Sequence, residues 1–293
     1  MKLSELSEDA IVEQITGQIL LDPRVKIGPG DDCAVIDGGD HYQLLKADCV
    51  IEGVHFSTEA PPQAVGWKAL CRTISDVAAM GGEPLDAVIT VAVLPECTLA
   101  WLVDLYRGFR YAAERYGVNL VGGETSRSPG PVFISVALTG QVEKERLVTR
   151  RGGVPGDPLY VTGKLGGSIK GKHLSFEPRL AEARWLTANI GVHAMIDLSD
   201  GLASDLPRLA KASGTGFEIA WASLPIADGC TEEEALSDGE DYELLFAVDD
   251  TVGSKLETEW KKVFPGLCLT CVGRLTEGGG KMFSKPGYDH FKG

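Results

Sequence analysis

Apolar residues recur at every fourth position in Ile11, Ile15 and Ile19, which predicts an opening helix over residues 8–20. Apolar runs near 33–37 and 42–50 then read as strands. Residues 61–82, PPQAVGWKALCRTISDVAAMGG, read as a helix started by proline and ended by Gly81-Gly82. A strand follows at 85–95, and Thr98 can cap a helix that Gly117 closes. Strands return at 118–123 and 131–142. The texture changes at 149–158, TRRGGVPGDP, where Gly, Pro and charge mark a boundary between residues 1–148 and 149–293. Beyond it, strands are expected at 159–163, 194–199, 216–221, 242–248 and 267–273. Helices are expected at 178–190, 201–213 and near 252–262. Both halves mix helices and strands. No close internal repeat is visible.

Composition narrows the partners. The chain has 293 residues, is 44% hydrophobic and carries a net charge of −14. Such a surface repels phosphate backbones, so nucleic acid is not an expected partner. Anionic small molecules remain open if metal ions lie between them and the protein. Seven scattered cysteines, an odd number, point to reduced thiols and a cytoplasmic setting. Cys268 and Cys271 have C-x-x-C spacing but fall in a strand-like stretch, so they read as packing cysteines. The N-terminus has no apolar signal core, and no apolar run approaches the ~20 residues that span a bilayer, so no membrane partner is expected.

The chemistry lies in carboxylates beside small residues at the edges of apolar elements. Asp31 and Asp32 follow a Gly-Pro-Gly turn, Asp48 lies in LLKADCV, and Asp76 sits in ISDVAAMGG. Glu124 follows Gly122-Gly123, Asp197 and Asp200 lie in IDLSDGL, and Glu240 and Asp241 lie in DGEDYELLF. One aspartate beside glycine is usually a turn residue or cap. Repetition of the arrangement suggests a Mg²⁺-dependent phosphate site, since Mg²⁺ bridges carboxylates to phosphates and glycines allow close approach. The helix start after Asp200 could assist with phosphate. Residues 166–173, GGSIKGKH, approach a P-loop, but His173 stands where Ser or Thr should be, so a glycine-rich entry to a helix is the better account.

In order, GDDCAV, ISDVAAMGG, LVGGET, LVTRRGGVPGD, IDLSDGL, GEDYELLF and GYDHF resemble the thiamine-monophosphate kinase family, of the aminoimidazole ribonucleotide synthetase superfamily. The resemblance spans nearly the whole chain. It implies a two-domain fold, α/β plus α+β, whose N-terminal domain binds ATP and Mg²⁺ and forms a β-barrel with a partner's strands in a homodimer. It implies phosphoryl transfer from ATP to thiamine monophosphate with Mg²⁺. By motif, Asp32, Asp48, Asp76, Glu124, Asp197 and Asp200 resemble metal ligands. Gly123, Glu124, Arg150 and Ser199 resemble nucleotide contacts, and His55, Glu240 and Tyr288 resemble contacts to thiamine phosphate. Asp32, Asp76, Asp197, Asp200 and Arg150 would carry catalysis. Lys46-Ala47 stands where the family has Ser-Thr: Ala47 lacks the oxygen, and Lys46 either replaces a metal or points to solvent. Glu124 replaces the usual aspartate and Asp238 a usual glycine. Three readings follow: the kinase, another ATP-dependent enzyme of the superfamily, or a non-catalytic binder of nucleotide or thiamine phosphate.

Overall fold

The computed structural model describes residues 2–278, 283 and 286–292. Its first sheet has six strands: β1 (Val25–Ile27), β2 (Ala34–Asp37), β3 (His41–Ile51), β4 (Glu83–Val93), β5 (Asn119–Arg127) and β6 (Phe133–Glu143). The order is β1-β2-β3-β6-β4-β5, antiparallel except for the parallel pair β4–β5. This sheet is open within one chain, with β1 and β5 at its edges, so the barrel implied by the resemblance is not closed here.

One face of the sheet carries α2 (Pro62–Ala79) and α3 (Leu99–Tyr116). Pro62 at the first helical position of α2 and a Thr98 hydroxyl accepting from the Trp101 N–H account for the two starts. The helices cross closely because both contact points are glycine. A Cβ on Gly66 would lie 2.1 Å from the Leu105 carbonyl oxygen, and one on Gly108 1.9 Å from that of Gln63. Leu44, Leu70, Ile74, Ile89, Phe109 and Ile134 fill the layer between.

The second sheet has the order β8-β10-β7-β11-β9, all antiparallel. Its strands are β7 (Pro158–Thr162), β8 (Val192–Asp197), β9 (Gly216–Ile219), β10 (Leu244–Val248) and β11 (Leu269–Thr276). Helix α5 (Leu202–Ser213) packs on one face through Leu206 and Leu209. On the other, α4 (Leu180–Asn189) and α7 (Gly253–Val263) pack through Leu186, Leu256 and Trp260. Ala78 and Ala79 at the end of α2 join this last core. Helix α2 thus belongs to both halves, and 14 of its 18 residues are buried, as a helix enclosed on all sides must be.

Three sequence expectations need correction. The opening helix, α1, runs only over Glu8–Thr16: Ile11 is buried in it, while Ile19 beyond its end finds no core and stays exposed. Residues 166–173 do not enter a helix. They form two short 3-10 turns around Gly171, whose φ of 144° breaks the progression. Cys271 packs in the third core, but Cys268 is exposed. The acidic run after Thr231 forms a short helix, α6 (Glu232–Ser237), started by a Thr231–Glu234 capping box. Among the described residues no helix is long and apolar enough to cross a membrane.

Candidate active site

Three elements far apart in sequence bring carboxylates to one point. Asp32 ends the Gly-Pro-Gly turn before β2, Asp76 lies in the last turn but one of α2, and Asp197 ends β8. One oxygen from each lies within 4.8 Å of the other two, and all three residues are buried. Each has at most one strong partner. The Ser75 hydroxyl donates to Asp197 Oδ2 at 2.5 Å. Arg150 donates to Asp32 Oδ1 through Nη2 at 2.5 Å and Nε at 3.2 Å. Lys46 Nζ lies 2.8 Å from Asp76 Oδ1 and 3.6 Å from Asp48 Oδ1. Among the described residues, Asp32 Oδ2 is buried with no hydrogen-bond partner.

Burial and mutual repulsion set the protonation. Burial, then the Asp32 charge, push Asp197 up to about 7 and Asp31 up to about 6. Burial pushes Asp76 well above the usual carboxylate range, against the pull of Lys46. Asp48, despite burial, is held below that range by Lys46 and Arg72. Clustered oxygens, repelling charges and one unpartnered buried oxygen fit a hard divalent cation such as Mg²⁺. Asp200 is not part of the cluster: Arg208 pairs with it and with Asp205, whose carboxylate accepts the Asp200 N–H at 3.0 Å.

Of the cluster, Asp76 lines a cleft of about 1270 Å³ also lined by Asp48, Arg72, Arg150, Ser199, Asp200 and Arg208. A second cleft of about 420 Å³ shares His55, Arg72, Ser199, Asp200 and His290 with it and adds Glu240 and Tyr288. Here the buried Lys68 charge is answered from within the chain. Lys68 Nζ, with no exposed side-chain surface, contacts Glu240 Oε2 at 2.7 Å, donates to the His55 carbonyl at 2.5 Å and lies 2.7 Å from His173 Nδ1. The Tyr242 hydroxyl donates to Glu240 at 3.0 Å. Burial resists the Glu240 charge, but Lys68 and Arg72 hold its pKa down. Burial lowers Lys68 to about 8, and burial with the Arg72 charge lowers His55 to about 3, leaving a neutral imidazole.

Backbone strain supports this corner. Glu240 and Tyr242 have φ of 60° and 51°, costly for residues with side chains. They are tied in place by N–H donation to the Ser199 and Leu198 carbonyls at 2.7 and 2.8 Å. The Tyr288 N–H is held by the Asp200 carbonyl at 2.9 Å, and the His290 ring lies 4.9 Å from Tyr288 and 5.3 Å from His55.

Gly123 and Glu124 are not brought to the cluster. Glu124 sits on edge strand β5, exposed. Pairing runs Cys49–Ser135–Thr90–Glu124, three strand steps, or about 14 Å at the usual inter-strand spacing. Sequence reasoning missed Lys68, Arg72, His173 and His290. A signal existed for the first two: Lys68, Arg72 and Asp76 recur at i, i+4 and i+8 in an otherwise apolar helix, which places them on one stripe.

The AIR synthase related protein N-terminal domain model matches residues 30–142 and its C-terminal domain model matches 161–281. The chain belongs to the AIR synthase related family. Within the family it stands with the thiamine-monophosphate kinases. It is 37% identical to the Thiamine-monophosphate kinase of Rhodopirellula baltica, over 92% of this chain and 89% of the relative. With that of Aquifex aeolicus it shares 34% identity, over 99% of this chain and all of the relative. The solved structure "AaThiL complexed with AMPPCP and TMP" superposes with a TM-score of 0.85 at 32% identity, covering 99% of both chains.

Proposed function

We propose that this protein transfers the γ-phosphate of ATP to thiamine monophosphate, forming thiamine diphosphate. The observation that carries the reading is the convergence of Asp32, Asp76 and Asp197, the second of which lines a cleft that shares Arg72, Ser199 and Asp200 with a second one lined by Glu240 and Tyr288. Its support from outside is kinship with named thiamine-monophosphate kinases and with a structure holding an ATP analogue and TMP.

The acceptor is a phosphate oxygen whose monoester ionises at ~6, so it is anionic near neutrality and needs no strong base. The problem is to bring two anions into line. Mg²⁺, when bound, supplies the positive charge that lets the phosphates approach and that stabilises the transferring group. Asp32, Asp76 and Asp197 would hold it, with Asp48 paired to Lys46 and Asp200 to Arg208 nearby. Arg150, fixed by Asp32, offers its remaining donors to the transferred phosphoryl group. Ser199 lines both clefts where nucleotide and acceptor meet. Gly123 and Glu124 take a part of the nucleotide farther along the sheet face. Anionic Glu240 faces the cationic thiazolium, Tyr288 stacks on an aromatic ring, and neutral His55 contributes shape and hydrogen bonding without charge.

The same reading includes division of the chain into an N-terminal domain over 1–148 that binds ATP and Mg²⁺ and dimerises, and a C-terminal domain over 149–293. It includes a homodimer in which the open sheet closes as a barrel with a partner's strands. Exposed Leu45, Val88 and Val121 on that sheet, and the bare edge of β5, are what such a partner would cover. It includes a cytoplasmic setting, where all seven cysteines would stay the free thiols they are. Purified protein with ATP, Mg²⁺ and thiamine monophosphate should yield thiamine diphosphate by chromatography. ADP release with other small phosphates but not with thiamine monophosphate would reassign the substrate; nucleotide binding with no turnover would make the chain a binder.

A further inference from the structure

The carboxylate cluster has two corners that share Asp76, and they are treated differently. Lys46 and Asp48 lie two positions apart on β3, so their side chains leave the same face of the strand. The Lys46 ammonium reaches the gap between Asp48 and Asp76, 3.6 Å from one carboxylate and 2.8 Å from the other. That gap is where a divalent ion bridging the two acids would sit, and a tethered cation already fills it. The opposite corner is open. Asp32, Asp76 and Asp197 each present an oxygen within 4.8 Å of the others, and Asp32 Oδ2 is buried and unpartnered. Arg150 takes the other Asp32 oxygen and leaves that one free.

We infer that Lys46 is a resident cation occupying the Asp48–Asp76 corner, so that the protein takes one divalent ion at this cluster where a neutral residue at position 46 would let it take two. The ammonium acts in two ways. It removes the anionic charge that a second ion would need, and it repels an ion placed beside it. Lys46 is therefore a determinant of metal stoichiometry. The inference rests on the metal reading above and is independent of which acceptor is phosphorylated.

The test uses the full-length protein and Mn²⁺ alone, without nucleotide, with bound ion counted by electron paramagnetic resonance and equilibrium dialysis. The unsubstituted protein should bind one Mn²⁺ per chain at the cluster. Lys46→Ser should bind two, and Lys46→Arg, which keeps the charge, should bind one. An unchanged count in folded Lys46→Ser overturns the inference. Anomalous scattering from Mn²⁺-soaked crystals of the unsubstituted protein needs no variant. An ion at Asp32, Asp76 and Asp197 with none between Asp48 and Asp76 supports the assignment, and an ion between those two acids overturns it. No bound Mn²⁺ in any form would remove the metal reading beneath it. Failure to form thiamine diphosphate leaves all these counts untouched, so the two failures are distinguishable.

Discussion

The two ends of the charged stripe on α2 handle buried charge in opposite ways. At Asp76, acids from three elements crowd together, the pKa values of Asp76 and Asp197 rise, and among the described residues one Asp32 oxygen has no partner. Eight residues back, at Lys68, a fully buried ammonium has a carboxylate, a carbonyl and an imidazole nitrogen around it. Burying an ion costs several kcal/mol unless partners replace its water. The Lys68 end meets that requirement from within the chain, so it is architecture that shapes a pocket. The Asp76 end does not, so its missing partner must arrive from solution. Where the protein leaves buried charge unbalanced, it marks a place for an external ion.

The most severe way to break this contrast is to remove an acid from the unbalanced end. Asp76→Asn should lower the rate of thiamine diphosphate formation by about a thousand-fold, the loss of roughly 4 kcal/mol of metal-assisted stabilisation. The melting temperature should hold or rise, because a repelled charge is gone. A variant that unfolds yet stays active at low temperature would reverse the assignment of the two ends. Lys68→Met attacks the balanced end and should do the opposite. It strands Glu240 and should cost about 3 kcal/mol in urea unfolding, with the loss in catalysis appearing mainly in the KM for thiamine monophosphate. A stable variant with normal KM would mean that Lys68 neither supports the fold nor shapes the pocket.

The smallest effect sharpens the comparison through Asp241, in the same loop as Glu240. Its carboxylate accepts from the Gly166 N–H at 3.0–3.1 Å, and burial pushes its pKa up from 3.8 to about 7. The folded state therefore holds this proton more tightly than the unfolded chain does. The stabilisation is complete below about 3.8 and is lost as pH rises through about 7. With Mg²⁺ present to keep the cluster ionised, Asp241→Asn should flatten the fall in melting temperature across that window. An identical slope in both proteins would show that this carboxyl does not titrate there.

Much of this molecule could be read from its residues. Helix α2 was expected from proline to paired glycines and is found as Pro62–Ala79; the strand around 131–142 is found as Phe133–Glu143. These elements were readable because their boundaries are local events: a proline without an N–H, a threonine cap, a glycine tolerating positive φ. Helix α1 was overextended for a non-local reason, since Ile19 has the right spacing but nothing to pack against. At the site, motif order named Asp32, Asp76 and Asp197, and these are the three that meet. The same reasoning set Asp48, Asp200 and Glu124 beside them, although the first two face cations and the third lies on an exposed edge strand.

The order of elements, the acidic surface, the kinship and the identity of the clustered acids were all determined by sequence, because each depends on residue type and short-range spacing. Where the Lys46 ammonium goes was left open between a metal's place and solvent. Only folding decided it, by setting the end of α2 against β3 so that one flexible stem reaches two acids at once. The partnering of Lys68, the direction of Asp200 and the free oxygen of Asp32 were decided in the same way. Each depends on distances of a few ångström between segments distant along the chain, and no local rule carries that information.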